Sequence, residues 1–296
     1  MKPFWQSIFG LMMGIVWPNY TIDWKHRDFP AYGPERYMIK QLVNLWQFRE
    51  LIAILMLRNI KIKYQRSLLG FLWTLISPLM MLTLLLLVFT NIVRIPIANY
   101  WAFLLSGYFL WTFSNQSITS GALSLSEHTN MVRNATFPTE IPIIASILAK
   151  SVEFLIELAL VIILIAVLHH RGLPVSYALV PVLLLPLLLL ILGLALLLAT
   201  AAVFYTDVRH MLPIMLTAMF YISPIFYSVD LVPSQFRFIY TINPFAHLLT
   251  CYQTVLYHGK LPSMEELLIV FLMAMITFMI GYFVFNRYKN LFAEIL

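Results

Sequence analysis

From Ser67 to Val93 the chain carries no Asp, Glu, Lys or Arg, and the same holds from Gly172 to Thr206. A helix rises about 1.5 Å per residue and needs about 20 apolar residues to cross about 30 Å of hydrocarbon, so both stretches are long enough to span a bilayer. Ile95 to Ser126, Ile141 to Leu168, Met211 to Val229 and Leu267 to Asn286 complete the set of candidates. Only 11% of the 296 residues are charged and 61% are hydrophobic, with a mean hydropathy of +0.85. Soluble domains run near ~25% charged. The polar surface of a soluble enzyme or nucleic-acid binder is missing here, in spite of a pI of about 9.4. The expectation is an all-α integral membrane protein with six transmembrane helices and no nucleic-acid partner.

Six spans place both termini on one side. If that side is the cytoplasm, 14 of the 19 Lys and Arg lie inside, and only Arg94, Arg171, Arg237 and Lys260 lie outside, with Lys150 in the membrane. That is the positive-inside pattern, and it predicts cytoplasmic N and C termini. Residues 1–44 read as an N-terminal cytoplasmic or interfacial segment. Within it, Phe4 to Trp17 is apolar but too short to span comfortably. It reads as a docked segment, or on length alone as a signal peptide, although no small-x-small cleavage site follows and Pro18 interrupts it. Residues 45–66 suggest an amphipathic helix on the inner surface. Leu51, Ile54, Leu55 and Ile62 supply an apolar stripe, while Arg49, Arg58, Lys61, Lys63 and Arg66 meet anionic headgroups. Residues 67–290 form the six-span domain.

The sequence contains no Gly-x-x-x-x-Gly-Lys-Ser/Thr phosphate loop, no dinucleotide-binding glycine fingerprint and no His-Glu-x-x-His metal pattern. Cys251 is the one cysteine and makes no internal disulfide. His169-His170 is an adjacent pair, poorly arranged for chelation. The expectation is a transport subunit rather than an enzyme, with no cofactor or metal of its own. Any uphill movement draws its energy from another polypeptide or from an ion gradient.

Three groups of residues bear on transport. Lys150, Glu153 and Glu157 share one face of the third span, because spacings of three and four residues stack on a helix. A charge in hydrocarbon costs at least ~2.5 kcal/mol on insertion scales, so this face looks at protein or water. Lys150 and Glu153 can pair, leaving Glu157 to find a partner, take a proton or contact water. A proton relay and a polar contact within the bundle both fit. In the second span, Tyr108, Trp111, Ser114, Asn115 and Thr119 mix aromatic rings with hydroxyl and amide groups. Such groups bond sugar hydroxyls and stack on sugar rings; they equally serve interhelical hydrogen bonds and an aromatic belt. Tyr221 and Tyr227 join them as path-lining candidates. Between the fifth and sixth spans, Asp230 to Glu266 is unusually apolar for an outer loop. Phe236 to Tyr240 and Phe245 to Leu249 each suffice for a short half-helix, with Asn243-Pro244 as the break. A surface hairpin and a protein-covered segment at membrane depth both fit.

Three stretches together resemble a known family. The first runs from Arg58-Asn59-Ile60-Lys61-Ile62-Lys63-Tyr64-Gln65-Arg66 through Gly70-Phe71-Leu72-Trp73 to Pro78. The second is Asn130-Met131-Val132-Arg133-Asn134-Ala135-Thr136-Phe137-Pro138-Thr139-Glu140-Ile141-Pro142. The third runs from Tyr205-Thr206-Asp207-Val208-Arg209-His210 through Ser223-Pro224-Ile225-Phe226-Tyr227 and Val232-Pro233 to Asn243-Pro244-Phe245. In this order they are similar to the permease subunit of ABC-2 type polysaccharide exporters, over roughly residues 45 to 290. The family often has a second basic residue where Asn134 stands.

The resemblance implies that residues 45–66 are an interface helix packed on an ATPase. It implies that Glu127, His128, Asn130, Arg133, Phe137 and Glu140 belong to a coupling helix seated in a cleft of that ATPase. It also implies that Phe236, Phe238, Tyr240, Asn243 and Pro244 form a re-entrant gate hairpin at the outer mouth, between helices 5 and 6. The implied partners are two nucleotide-binding ATPase subunits carrying ATP and Mg, a second copy of this chain, and membrane lipids. The implied substrate is an undecaprenyl-diphosphate-linked polysaccharide (O-antigen, capsule or teichoic acid) crossing a bacterial cell inner membrane. The rivals are an ABC-2 exporter of a drug or small lipid, an ion-coupled secondary transporter using Lys150, Glu153 or Glu157, and a membrane enzyme acting on lipid-linked sugars. For the last, His258 and Glu265-Glu266 offer only a poor cluster.

Overall fold

The computed structural model describes residues 45–65, 69–133, 137–168 and 174–296. The segment 1–44 and the sequence features at Arg66, Asn134 and His169-His170 lie outside the described residues. Every regular element among the described residues is helical. Helix α1 is Arg49–Tyr64 and α2 is Trp73–Leu87, continued by a π turn at Val88–Ile92. Then come α3 (Tyr100–Glu127), the short α4 (Thr129–Arg133) and α5 (Ile141–Leu168). A 3-10 turn at Val175–Leu179 leads into α6 (Val180–Phe204), followed by α7 (Val208–Ile222). The chain closes with α8 (Arg237–Ile242), α9 (Pro244–Leu256), α10 (Met264–Tyr288) and α11 (Phe292–Ile295).

Four of the described helical stretches are long and apolar enough to cross a membrane: Trp73–Ile92, Ile141–Leu168, Val175–Phe204 and Met264–Ile295. α3 has the length, with 28 residues, but carries hydroxyl and amide side chains throughout. α7 has the composition but not the length, since its 15 residues cover only ~22 Å at 1.5 Å each. The apolar run from Met211 to Val229 therefore splits. It is helical to Ile222 and then breaks at Ser223-Pro224, which turn the backbone extended.

The bundle is built around α3, which packs on α5 and α6, and around the pair α6 and α10. The last two approach backbone to backbone, because glycines face each other at the crossing: a Cβ on Gly281 would lie 1.9 Å from the Gly193 carbonyl oxygen. Small residues permit such contact between membrane helices. α10 leaves Leu268, Leu272, Met275, Ile276, Met279, Ile280 and Phe283 exposed along its outward side. That face suits lipid. On its other flank, α10 begins with a capping box: the Ser263 hydroxyl accepts from Glu266 N at 3.1 Å and the Glu266 carboxylate accepts from Ser263 N at 2.9 Å. Glu266 is thus committed to the start of this helix.

α3 explains how a polar helix survives in the core. Ser106, Thr112, Ser114, Ser120 and Ser124 donate their hydroxyls to carbonyls three or four residues back on the same helix. Each hydroxyl is satisfied locally and presents little polarity to the neighbouring helices.

Candidate functional site

α3 spans from Glu127, beside α1, back to Tyr100, whose hydroxyl donates to the Phe226 carbonyl at 2.8 Å. Its 28 residues separate these two ends by about 42 Å, and candidate site residues collect at each.

At the first end, α1 lies along α5. No Pro or Gly interrupts residues 49–64, and Glu50 in the first turn with Lys61 and Lys63 in the last complement the helix dipole. Its apolar side turns to protein: Phe48, Leu55, Ile141 and Ala145 form a small core, packed round by Leu45, Leu51, Ile52, Met131 and Phe137. Thus α1, the α4 residue Met131, Phe137 and the start of α5 make one packed unit. Ile62, expected on the apolar stripe, is instead 58% exposed.

Polar groups lock the other half of α1. The Glu153 carboxylate accepts from Lys63 Nζ at 2.6 Å, from Tyr64 OH at 2.9 Å and from Lys150 Nζ at 3.4 Å. About two turns earlier on α5, Ser146 Oγ accepts from Asn59 at 3.3 Å. Burial works against the Lys63 ammonium, yet its hydrogen bond and attraction to Glu153 win and lift its pKa above the ordinary 10.5. Burial also raises the Tyr64 hydroxyl, which therefore stays a donor at neutral pH. Beside this clamp opens a cavity of ≈ 390 Å³, lined by Arg58, Asn59, Ile62, Lys63, Ser120, Glu127, His128, Ser146, Ala149, Lys150 and Glu153. Cationic and neutral donors from three helices meet there, with two carboxylates among them.

The structure thus brings Arg58, Lys63, Glu127, His128, Lys150 and Glu153 together, as spacing along the chain alone does not. Lys61 is exposed outside the cavity. Asn130 and Arg133 are exposed on α4, whereas Glu140 is buried and holds Lys289 Nζ at 3.0 Å. Glu157 is 4% exposed, and no hydrogen bond to its carboxylate occurs among the described residues. Local spacing misses the partners of Lys63, Tyr64 and Lys289, which lie 90, 89 and 149 positions away.

At the second end, the extended segment after α7 is fastened by side chains from three directions. Gln253 Nε2 donates to the Pro224 carbonyl at 2.8 Å, and Asn243 Nδ2 donates to Ser223 Oγ at 3.0 Å. The Asn243 side-chain Oδ1 accepts from Phe245 N at 3.0 Å, and Pro244 takes the first helical position, so the expected break at Asn243-Pro244 is the N-cap of α9. Tyr227 and Tyr240 join hydroxyls at 2.6 Å. Phe236 and Phe238 are exposed. Of the path-lining candidates, Tyr108, Trp111 and Ser114 are buried within the protomer, Trp111 against Phe220 and Phe245. Asn115 and Thr119 are half-buried on the same helix, Tyr227 is half-buried in the hairpin contact, and Tyr221 is 61% exposed.

Residues 50–257 match the family described as "ABC-2 type transporter". Over 261 residues the chain is 26% identical to the "O-antigen export system permease protein RfbA" of Klebsiella pneumoniae, covering 87% of this chain and 99% of that protein. Over 259 residues it is 27% identical to the protein of the same name from Myxococcus xanthus, again covering 87% and 99%.

Proposed function

The chain belongs to the ABC-2 type transporter family, and on that footing we propose that it is the permease subunit of an ABC exporter for O-antigen. The observation that carries this reading is the extent of the match to the O-antigen permeases, which takes in 99% of their length and so includes both the α1–α5 unit and the hairpin end. In this reading the six candidate segments all cross the bacterial inner membrane: the four long apolar helices, the polar α3 and the short α7. Both termini lie in the cytoplasm, with α1 and α4 on that side. A nucleotide-binding ATPase, in two copies with ATP and Mg, docks there and supplies the energy.

A second copy of the chain completes the path. α7 supports this, since only Leu212 and Leu216 of its residues are buried while Met211, Ile214, Met215 and Tyr221 stand exposed. The substrate is a polysaccharide on undecaprenyl diphosphate or a similar lipid. The donors of the cavity beside α1 suit its anionic headgroup at the inner leaflet. α8 and α9, closed by the Asn243, Gln253 and Tyr227 bonds, act as the re-entrant gate at the outer mouth. Residues 1–44 precede this transport unit.

Disrupting the gene in its host tests the reading: O-antigen is expected to vanish from the cell surface while its lipid-linked form accumulates inside. Normal surface polymer would overturn it. Coupling through α4 is tested by Arg133→Glu combined with Phe137→Ala. Surface polymer is expected to fall at least about tenfold, a change of ~1.4 kcal/mol, with the membrane level of the permease unchanged. The ion-coupled rival would use Lys150, Glu153 or Glu157; the first two are paired with each other, so Glu157 is the one to vary. Glu157→Gln is expected to keep export within about twofold of wild type, well under ~1 kcal/mol. Complete loss, with the protein still folded, would favour the rival.

A further inference from the structure

α4 has five residues. A helix that short does not hold itself together in isolation, because nucleation costs more than one turn of hydrogen bonds returns. If α4 passes a push from an ATPase, as the proposed function requires, something else must make it stiff. One side of that support is the packing of Met131 and Phe137 against α1.

The other side is the end of the chain, which lies beyond the family match at residue 257. After α10 the backbone makes a 3-10 turn at Lys289–Leu291 and enters α11, which packs on α4. Phe292 is fully buried, its ring edge-on to Phe285 at 5.2 Å and to Phe204 at 6.4 Å, so α11 is pinned to the ends of α6 and α10. Val132, on α4, is 2% exposed. Three residues earlier than Phe292, Lys289 Nζ reaches Glu140 Oε1 at 3.0 Å, at the foot of α5. The second carboxylate oxygen of Glu140 is buried with no hydrogen-bond partner among the described residues. Lys289 is therefore the charged group that compensates this buried carboxylate, and a buried charge deprived of its partner is strongly disfavoured.

We propose that the C-terminal segment Lys289–Leu296 is a brace that holds α4 and the foot of α5 as one rigid piece, with Lys289 as a positioning residue acting through Glu140. Movement of the ATPase then reaches α5 and, through Phe292, the α6–α10 pair together. Without the brace α4 yields under the push, and ATP is hydrolysed without export. The inference rests on the ABC exporter reading.

The test uses the complete permease with its ATPase in vesicles, loaded with the lipid-linked polysaccharide, and reads polymer moved per ATP hydrolysed. Lys289→Glu and Glu140→Lys are each expected to lower this ratio about tenfold while the two subunits still copurify. The exchange of both charges is expected to restore it to within about threefold of wild type, which a merely destabilising change would not do. Where Lys289→Glu reduces the amount of assembled complex, Lys289→Arg and Lys289→Gln carry the comparison: arginine keeps the ratio and glutamine loses it. Single variants with a wild-type ratio, or an exchange no better than the singles, would overturn the brace. Arg133→Glu with Phe137→Ala is measured alongside. If that variant uncouples and the C-terminal ones do not, only the brace fails. If neither uncouples, coupling through α4 fails as well.

Discussion

Gly281→Ala is expected to leave little folded permease. The new methyl group would lie 1.9 Å from the carbonyl oxygen of Gly193 and 2.7 Å from its carbonyl carbon. These are backbone atoms in the middle of α6, so no rotamer change relieves the clash. The helices must separate, and α10 loses its closest partner along its whole length. Overpacking against adaptable side chains costs about 1–3 kcal/mol, and a rigid backbone places this case at or above the upper figure. Gly193→Ala meets the backbone of Phe278 at 2.6 Å and is expected to behave alike. Thermal unfolding of the purified protein in detergent, together with its yield from membranes, reads the effect. A Gly281→Ala protein with wild-type yield and midpoint would show that α6 and α10 do not cross at these glycines.

Glu153→Gln is expected to loosen α1 from α5. The substitution keeps size and shape but removes the negative charge that holds Lys63 and Lys150, and it leaves two ammonium groups facing each other. Removing one partner of a fully buried ion pair costs about 3–5 kcal/mol. Lys63 is 36% exposed and Lys150 18%, so solvent screens part of this and about 1–2 kcal/mol is the expected loss. Increased protease cleavage within residues 49–64 of the reconstituted protein, with export reduced about tenfold, is the expected pair of results. Unchanged cleavage and export would remove Glu153 from the latch. The pH response has a definite sign. The Lys63 pKa is raised in the folded protein, so its contribution is fully present below its ordinary value of 10.5 and is lost only as pH climbs above that value. This half of the latch therefore stays closed through neutral and mildly alkaline pH.

Local signals in the sequence were enough for some of this architecture. The largely apolar run from Ile141 to Leu168 is bounded by Pro138 and Glu140 on one side and His169 on the other, and α5 has those same limits. Asn243-Pro244 marks a helix start by its own side-chain chemistry, so the break between α8 and α9 was legible. The Lys150–Glu153 pair follows from helical spacing. The pairing of Lys63 and Tyr64 with Glu153 escaped, because a three-residue spacing along α5 already accounts for Glu153 and nothing local points to α1. The Glu140–Lys289 pair is more distant still. Gly193 and Gly281 sit in uniformly apolar runs, where one small residue carries no periodic signature. The hydroxyls of α3 look from sequence like a surface for sugars; their spacing of three and four residues is also what lets each bond its own helix, and at Ser114 that is what happens. The length of the fifth span was overestimated for a related reason: composition stays apolar past Ile222, while the backbone leaves the helix at Ser223-Pro224.

In the proposed function this chain moves O-antigen with energy drawn from a separate ATPase. The most direct measurement is passage of a labelled lipid-linked polysaccharide across vesicles containing the purified permease, with and without the ATPase subunit, with and without ATP. Passage is expected only when permease, ATPase and ATP are all present, unaffected by an uncoupler. Passage driven by a proton gradient in vesicles holding the permease alone would contradict it.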